Sequence, residues 1–206
     1  NVYAGYVAKS MGLPVEKLIV ATNANDILHR FYQAGRMEKR GVVPTISPSM
    51  DIQVSSNFER LLFDLYGRDG AKVAATMTHF RETGPFDLDE ALMAQLGAIF
   101  ASGRKDDAET TQIIRDIYRL YDYVVDPHTA IGIGVAQDWK RAHPDAAIVT
   151  LATAHPAKFP AAVEQATDLH PALPPRMADL FERPERLTRV GNDMSAIQAL
   201  ILERTG

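Results

Sequence analysis

In "TLATAHPAKFP", Thr150–Pro160, a hydroxyl, an imidazole and an ammonium group follow one another at Thr153, His155 and Lys158. With these groups a protein hydrogen-bonds a ligand ring, moves a proton or forms a Schiff base. Plainer readings stand beside these. A loop Thr steadies a turn, a His held extended before Pro156 serves as a hydrogen-bonded structural residue, and a Lys near a helix start is solvated. Asn1 heads a helical pattern, where free N–H groups and the helix dipole favour an anion such as phosphate, although Asn is also an ordinary N-cap.

"SPSMDIQVSSNFER" gathers Ser47, Ser49, Ser55 and Ser56 around Asp51 and Asn57. Such clusters usually make turns and caps. With no GxSxG and no plausible Ser-His-Asp order in the sequence, hydrolase chemistry has no support. The six histidines show no HxxxH, HxH or carboxylate-paired spacing, so no metal site is expected. Gly132-x-Gly134 falls inside a helical pattern and lacks the third glycine of a dinucleotide fingerprint; close helix packing explains it better.

The elements that must position these groups follow from periodicity. Helices are expected at Val2–Met11, stopped by Gly12; at "NDILHRFYQAGRM", capped by Asn25 or Asp26 and closed by Gly35; and at "SSNFERLLFDLYG". Further helices are expected at "DLDEALMAQLGAIF", at "DDAETTQIIRDIYRLYDY", at "PHTAIGIGVAQDWKRA" and along the tail from Ala161, with a turn at "HPALPP". "KLIVAT", "YVVD" and "AAIVTLAT" read as strands, with Leu18–Ala21 and Ile148–Leu151 parallel. The alternation predicts a helix-rich α/β fold, three-layer αβα on a mostly parallel sheet. In such sheets ligands sit at the carboxyl ends of strands. "ATNANDI", "DPHTA" and "TAHPAKF" all fall at or beside such strand ends.

Composition narrows the class further. At 206 residues, 46% apolar and 23% charged, the chain can bury a sizeable core. A net charge of −4 with scattered Lys and Arg leaves no footprint for nucleic acid, and no run suits a membrane. The absence of cysteine excludes disulfides and fits a cytoplasmic protein. Because the sequence opens without Met at the first turn of a helix, it is expected to be part of a longer chain.

"NVYAGYVAKSMGLP", "LIVATNANDIL", "SPSMDIQVSSNFERLLFDL", "DPHTAIG" and "TAHPAKF" together resemble, in order, the threonine synthase family in its longer bacterial and fungal branch. The likeness runs to about Phe159. It implies a pyridoxal-phosphate enzyme of the two-domain, tryptophan-synthase-β-like fold, with residues 1–160 in the cofactor-binding region, a helical addition around 65–120 and a helical tail over 161–206. The implied reaction is a carbon–oxygen lyase step in threonine biosynthesis, in which O-phosphohomoserine and water give threonine and phosphate.

The family's phosphate loop, Gly-Asn-Phe-Gly followed by Asn or Asp, places Asn1 at the cofactor phosphate. Its Thr in "TAHPAKF" places Thr153 at the pyridine nitrogen. Motif position makes Asn23, Asn25, Ser47, Ser49, His128, Thr129 and His155 pocket candidates. The family's Schiff-base lysine lies upstream of the phosphate loop, outside this chain, and Lys158 and the other lysines match no such motif. No catalytic residue is therefore expected here, the chain alone should be inactive, and its partner should be the N-terminal part of the same enzyme. The alternative is a non-catalytic relative that binds a phosphorylated ligand. An unrelated nucleotide-binding module is disfavoured by the incomplete glycine fingerprint and the lack of a Walker lysine.

Overall fold

The computed structural model describes residues 2–205; Asn1, and with it the expected phosphate contact, lies outside the described residues. Helix α1 (Val2–Ser10) stops before Gly12, whose φ of 101° suits glycine. The strand β1 (Leu18–Thr22) follows, then α2 (Ile27–Ala34), closed by Gly35 at φ 73°. The two-residue β2 (Arg36–Met37) leads into an irregular stretch with one 3-10 turn at Pro48–Met50. After it come α3 (Ser56–Leu65) and α4 (Gly70–Glu82), β3 (Phe86–Asp87), α5 (Glu90–Ile99) and β4 (Phe100–Arg104). The long pair α6 (Asp107–Tyr121) and α7 (Pro127–Ala142) precedes α8 (Pro160–Thr167).

β1 and β4 form a parallel pair in register Leu18 with Phe100 to Thr22 with Arg104, and β2 pairs antiparallel with β3. Side chains alternate across β4: Ser102 meets His29 of α2, while a Cβ on Gly103 would meet Val135 of α7 at 2.7 Å. Phe31 is fully buried at the centre of the main core, with Phe58 edge-on at 4.8 Å and Phe86 and Leu62 close by. A second core, from Ile114, Ile117, Val125, Ala130 and Ala166, joins α6, α7 and α8. The chain divides into two compact units, Asn1–Pro171 and Ala172–Gly206, the second holding a 3-10 turn at Pro175–Met177 and α9 (Met194–Thr205). No helix among the described residues is long and apolar enough to cross a membrane.

Several expected elements differ. Ile148–Leu151 is not a strand: residues 147–154 make no backbone–backbone hydrogen bond among the described residues. The run is still laid out with period two. Ala146, Ile148 and Thr150 are half-buried, whereas Val149 is 86% and Leu151 56% exposed. An extended segment becomes a strand only when another supplies its ladder, and this one has none alongside. "YVVD" likewise stays unpaired, with Val125 held by the second core instead. The helix expected over "DLDEALMAQLGAIF" starts at Glu90 behind the cap Asp89, and its last expected residue, Phe100, opens β4, the partner of β1. The tail is helical only in α8 and α9, with irregular chain between them.

Candidate functional site

β1 ends by delivering Thr22 and Asn23 to the carboxyl end of the parallel pair, where the Lys105 amide donates to the Thr22 carbonyl at 3.0 Å. Asn23 is fully buried. Its amide nitrogen donates to Thr45 Oγ1 at 2.8 Å, Ser47 Oγ at 2.9 Å and Asp51 Oδ1 at 2.8 Å, while its oxygen accepts from the Asn25 backbone. Asn25 bridges the same loop: its side-chain nitrogen donates to the Val43 carbonyl and Asp51 Oδ1, and its oxygen accepts from the Val43 amide. Asp51 also accepts from the hydroxyl and the amide of Thr45. The stretch from Val43 to Asp51 is thereby pinned to the end of β1, and Asp107 of α6 accepts from the Ile46 amide beside it.

A second tether comes from α7. Asp126 caps the helix, accepting from the His128 and Thr129 amides and from the Thr129 hydroxyl. Pro127 at the first helical position needs no such acceptor. Burial pushes the Asp126 carboxyl up, but the His128 and Thr129 donors outweigh it and hold the pKa below the ordinary carboxylate value. The His128 ring, 5% exposed, has Nδ1 at 3.0 Å from Asp126 Oδ1, and its Nε2 accepts from the Ser49 amide at 3.2 Å. The ring also meets Phe159, centroids 4.6 Å apart. The serine loop, "DPHTA" and "AHPAKF" are thus in direct contact.

Of the expected residues, Asn23, Asn25, Ser47, Ser49, His128 and Thr129 form this one network. The first three, with His128 and Thr129, are buried and bonded within the chain, while Ser49 is exposed. Thr153 and His155 are exposed. Thr153 has no side-chain hydrogen bond among the described residues, and His155 Nδ1 accepts from the Ala157 amide in a tight turn. Lys158 is exposed, its Nζ 5.8 Å from the Phe159 ring centroid. Sequence reasoning missed Asp51, Thr45, Asp107, Asp126 and Phe159 as organisers. Asp126, directly before a Pro-initiated helix, had a cap signature that could have found it. Asp51 had none, because the partners that tie it to β1, Asn25 and Asn23, lie 26 and 28 residues away.

A sequence model of the family described as "Threonine synthase, C-terminal" matches residues 129–201. Threonine synthase of Pseudomonas aeruginosa is 48% identical over 202 residues, 98% of this chain and 43% of the relative. The PLP-bound threonine synthase from Brucella melitensis superposes with a TM-score of 0.85 at 44% identity, covering 99% of this chain and 44% of that one. The yeast threonine synthase structure gives 0.82 at 35%, covering 98% and 44%. The chain belongs to the threonine synthase family, matching its C-terminal region. It therefore spans less than half the length of the threonine synthases it resembles. The likeness also reaches beyond Phe159, since the range 129–201 includes α8 and most of α9. In this threonine synthase region, the Asn23–Asp51 and Asp126–His128 groups form a buried frame that holds Ser49 by its backbone amide, while Thr153 and His155 lie exposed in the stretch before Phe159.

Proposed function

We propose that this chain supplies one side of the pyridoxal-phosphate pocket of a threonine synthase, in which O-phosphohomoserine and water yield threonine and phosphate. The observation that carries this reading is the meeting of the serine loop, "ATNANDI", "DPHTA" and "AHPAKF" in one hydrogen-bonded and packed frame. Packing of α2 and α7 on successive residues of β4 supports a three-layer αβα arrangement for residues 1–160, with 161–206 as the tail.

The cofactor's fit can be judged from the donor set. Thr153 offers an exposed neutral hydroxyl not committed elsewhere, the type of donor that suits an unprotonated pyridine nitrogen. When bound, pyridoxal phosphate supplies the electron sink for proton removal and for loss of the substrate phosphate. Thr153 orients the ring through its nitrogen, and a neutral donor leaves that nitrogen uncharged. By the family's phosphate-loop pattern, Asn1 would take the cofactor phosphate. The exposed Ser49 and His155 would contact the bound molecules, while the buried Asn23, Asn25, Ser47, His128 and Thr129 would hold the wall behind them. The Schiff-base lysine comes from the rest of the enzyme.

The test is a chimera joining the part of the Pseudomonas aeruginosa relative that precedes its matched region to this chain. Phosphate release from O-phosphohomoserine that depends on pyridoxal phosphate is expected. Cofactor binding without turnover would favour the non-catalytic alternative, and a folded chimera that binds nothing would refute both.

A further inference from the structure

His128 is buried and uses both ring nitrogens, and the chemistry of its partners fixes its state. A backbone amide can only donate, so the nitrogen facing the Ser49 N–H at 3.2 Å must carry a lone pair. The other nitrogen, 3.0 Å from the Asp126 carboxylate, must carry the proton. We infer that His128 is a neutral, Nδ1-protonated positioning residue that latches the Ser47–Asp51 loop to the head of α7 through the Ser49 backbone, and that it is not an acid or base. It rests on the proposed function only in treating that loop as a pocket wall.

The latch has a direction with pH. Protonating the imidazole puts an N–H at Nε2 against the N–H of Ser49, so the bond exists only with the neutral ring. Asp126 still accepts from Nδ1 in the charged ring, so protonation frees the loop and leaves the helix cap in place. The charged groups of the packed elements do not replace the lost contact, since Asp107 of α6 is taken up by the Ile46 amide. Asp51 of the loop is held by Asn23, Asn25 and Thr45, and the "AHPAKF" turn presents the Phe159 ring, with Lys158 over that ring.

The consequence is a loop in which one contact, at the Ser49 amide, opens with a single proton. Asn23 and Asn25 still hold Ser47 and Asp51 on either side of it, and Asp107 still accepts from the Ile46 amide.

The experiment uses the 206-residue chain, labelled with 15N, and reads no activity, so its failure is distinct from failure of the proposed function. Imidazole nitrogen shifts should show Nδ1 protonated and Nε2 bare near neutral pH. Amide exchange at Ser49, corrected for the intrinsic rate at each pH, should be protected there and lose about tenfold of that protection as His128 takes up a proton, the scale of one ordinary hydrogen bond. The Asn25 amide, bonded to Asn23, should not follow. His128→Leu should give the fast Ser49 exchange at every pH, and His128→Gln, whose carbonyl can accept, should restore slow exchange and abolish the pH dependence. A proton on Nε2 in the native chain, or Ser49 exchange indifferent to the charge of His128, would overturn the inference. The native measurements decide it even if His128→Leu does not fold.

Discussion

Two kinds of residue share the region at the end of β1. Asn23 and Asn25 have both side-chain hydrogens and their oxygens engaged by the chain itself, so they shape the loop. Thr153 is the reverse case, exposed and without a side-chain hydrogen bond among the described residues. Thr153→Val should therefore shift stability by less than about 0.5 kcal/mol, read as an unchanged urea midpoint, even though it removes the proposed ring donor. Asp126→Ala should cost about 3 kcal/mol, from a lost cap and from leaving the His128 and Thr129 donors buried without an acceptor. The depressed Asp126 pKa gives the same group a sign with pH. Its contribution is complete above the ordinary carboxylate range and is lost as pH falls through the lower folded value, so Asp126→Asn should flatten the acid limb of the stability profile. That Asn23, Asn25, Ser47, Ser49, His128 and Thr129 belong together was legible, because family motifs and loop chemistry both marked them. Their division into frame and exposed contacts was not, because it depends on partners far along the chain.

At the scale of elements, helices were read well where local signals agree. α7 matches its sequence pattern from Pro127 to Ala142, and α6 begins with a capping box between Asp106 and Glu109. β4 was missed because "FASGR" offers little strand propensity and runs on from a helix without a break; only its pairing with β1 makes it a strand. Ile148–Leu151 fails in the opposite way, having strand propensity and no partner. Its outer face carries Val149 and Leu151 into solvent, and an unpaired apolar strand edge invites pairing between copies. Val149→Lys should reduce self-association of the isolated chain, measured by light scattering at rising concentration, with helical circular dichroism unchanged. Equal association in both proteins would show that this run is not the sticky edge.

For the whole molecule, the decisive question is whether this chain can hold its proposed cofactor covalently. A Schiff-base lysine must be held in a pocket and shed its proton near neutral pH, which burial away from carboxylates brings about. None of the seven lysines is so placed. Lys9, Lys17, Lys39 and Lys140 donate to backbone carbonyls, Lys72 lies 4.2 Å over the Tyr66 ring and Lys158 is exposed beside Phe159. Lys105 is the enclosed one, its side chain 13% exposed, but it sits between Asp138 at 2.9 Å and Glu109 at 3.0 Å. Burial alone would pull its pKa down; the two carboxylates outweigh that and raise it, so it stays a protonated tie between α6 and α7. Mixing the chain with pyridoxal phosphate, reducing with borohydride and mapping the products by mass spectrometry should give sparse labelling spread over exposed lysines, with Lys105 spared. Supplying the preceding part of a threonine synthase should move the label onto that part, at one lysine and near unit stoichiometry. Stoichiometric labelling of Lys158 in the chain alone would instead make this half a self-sufficient cofactor binder.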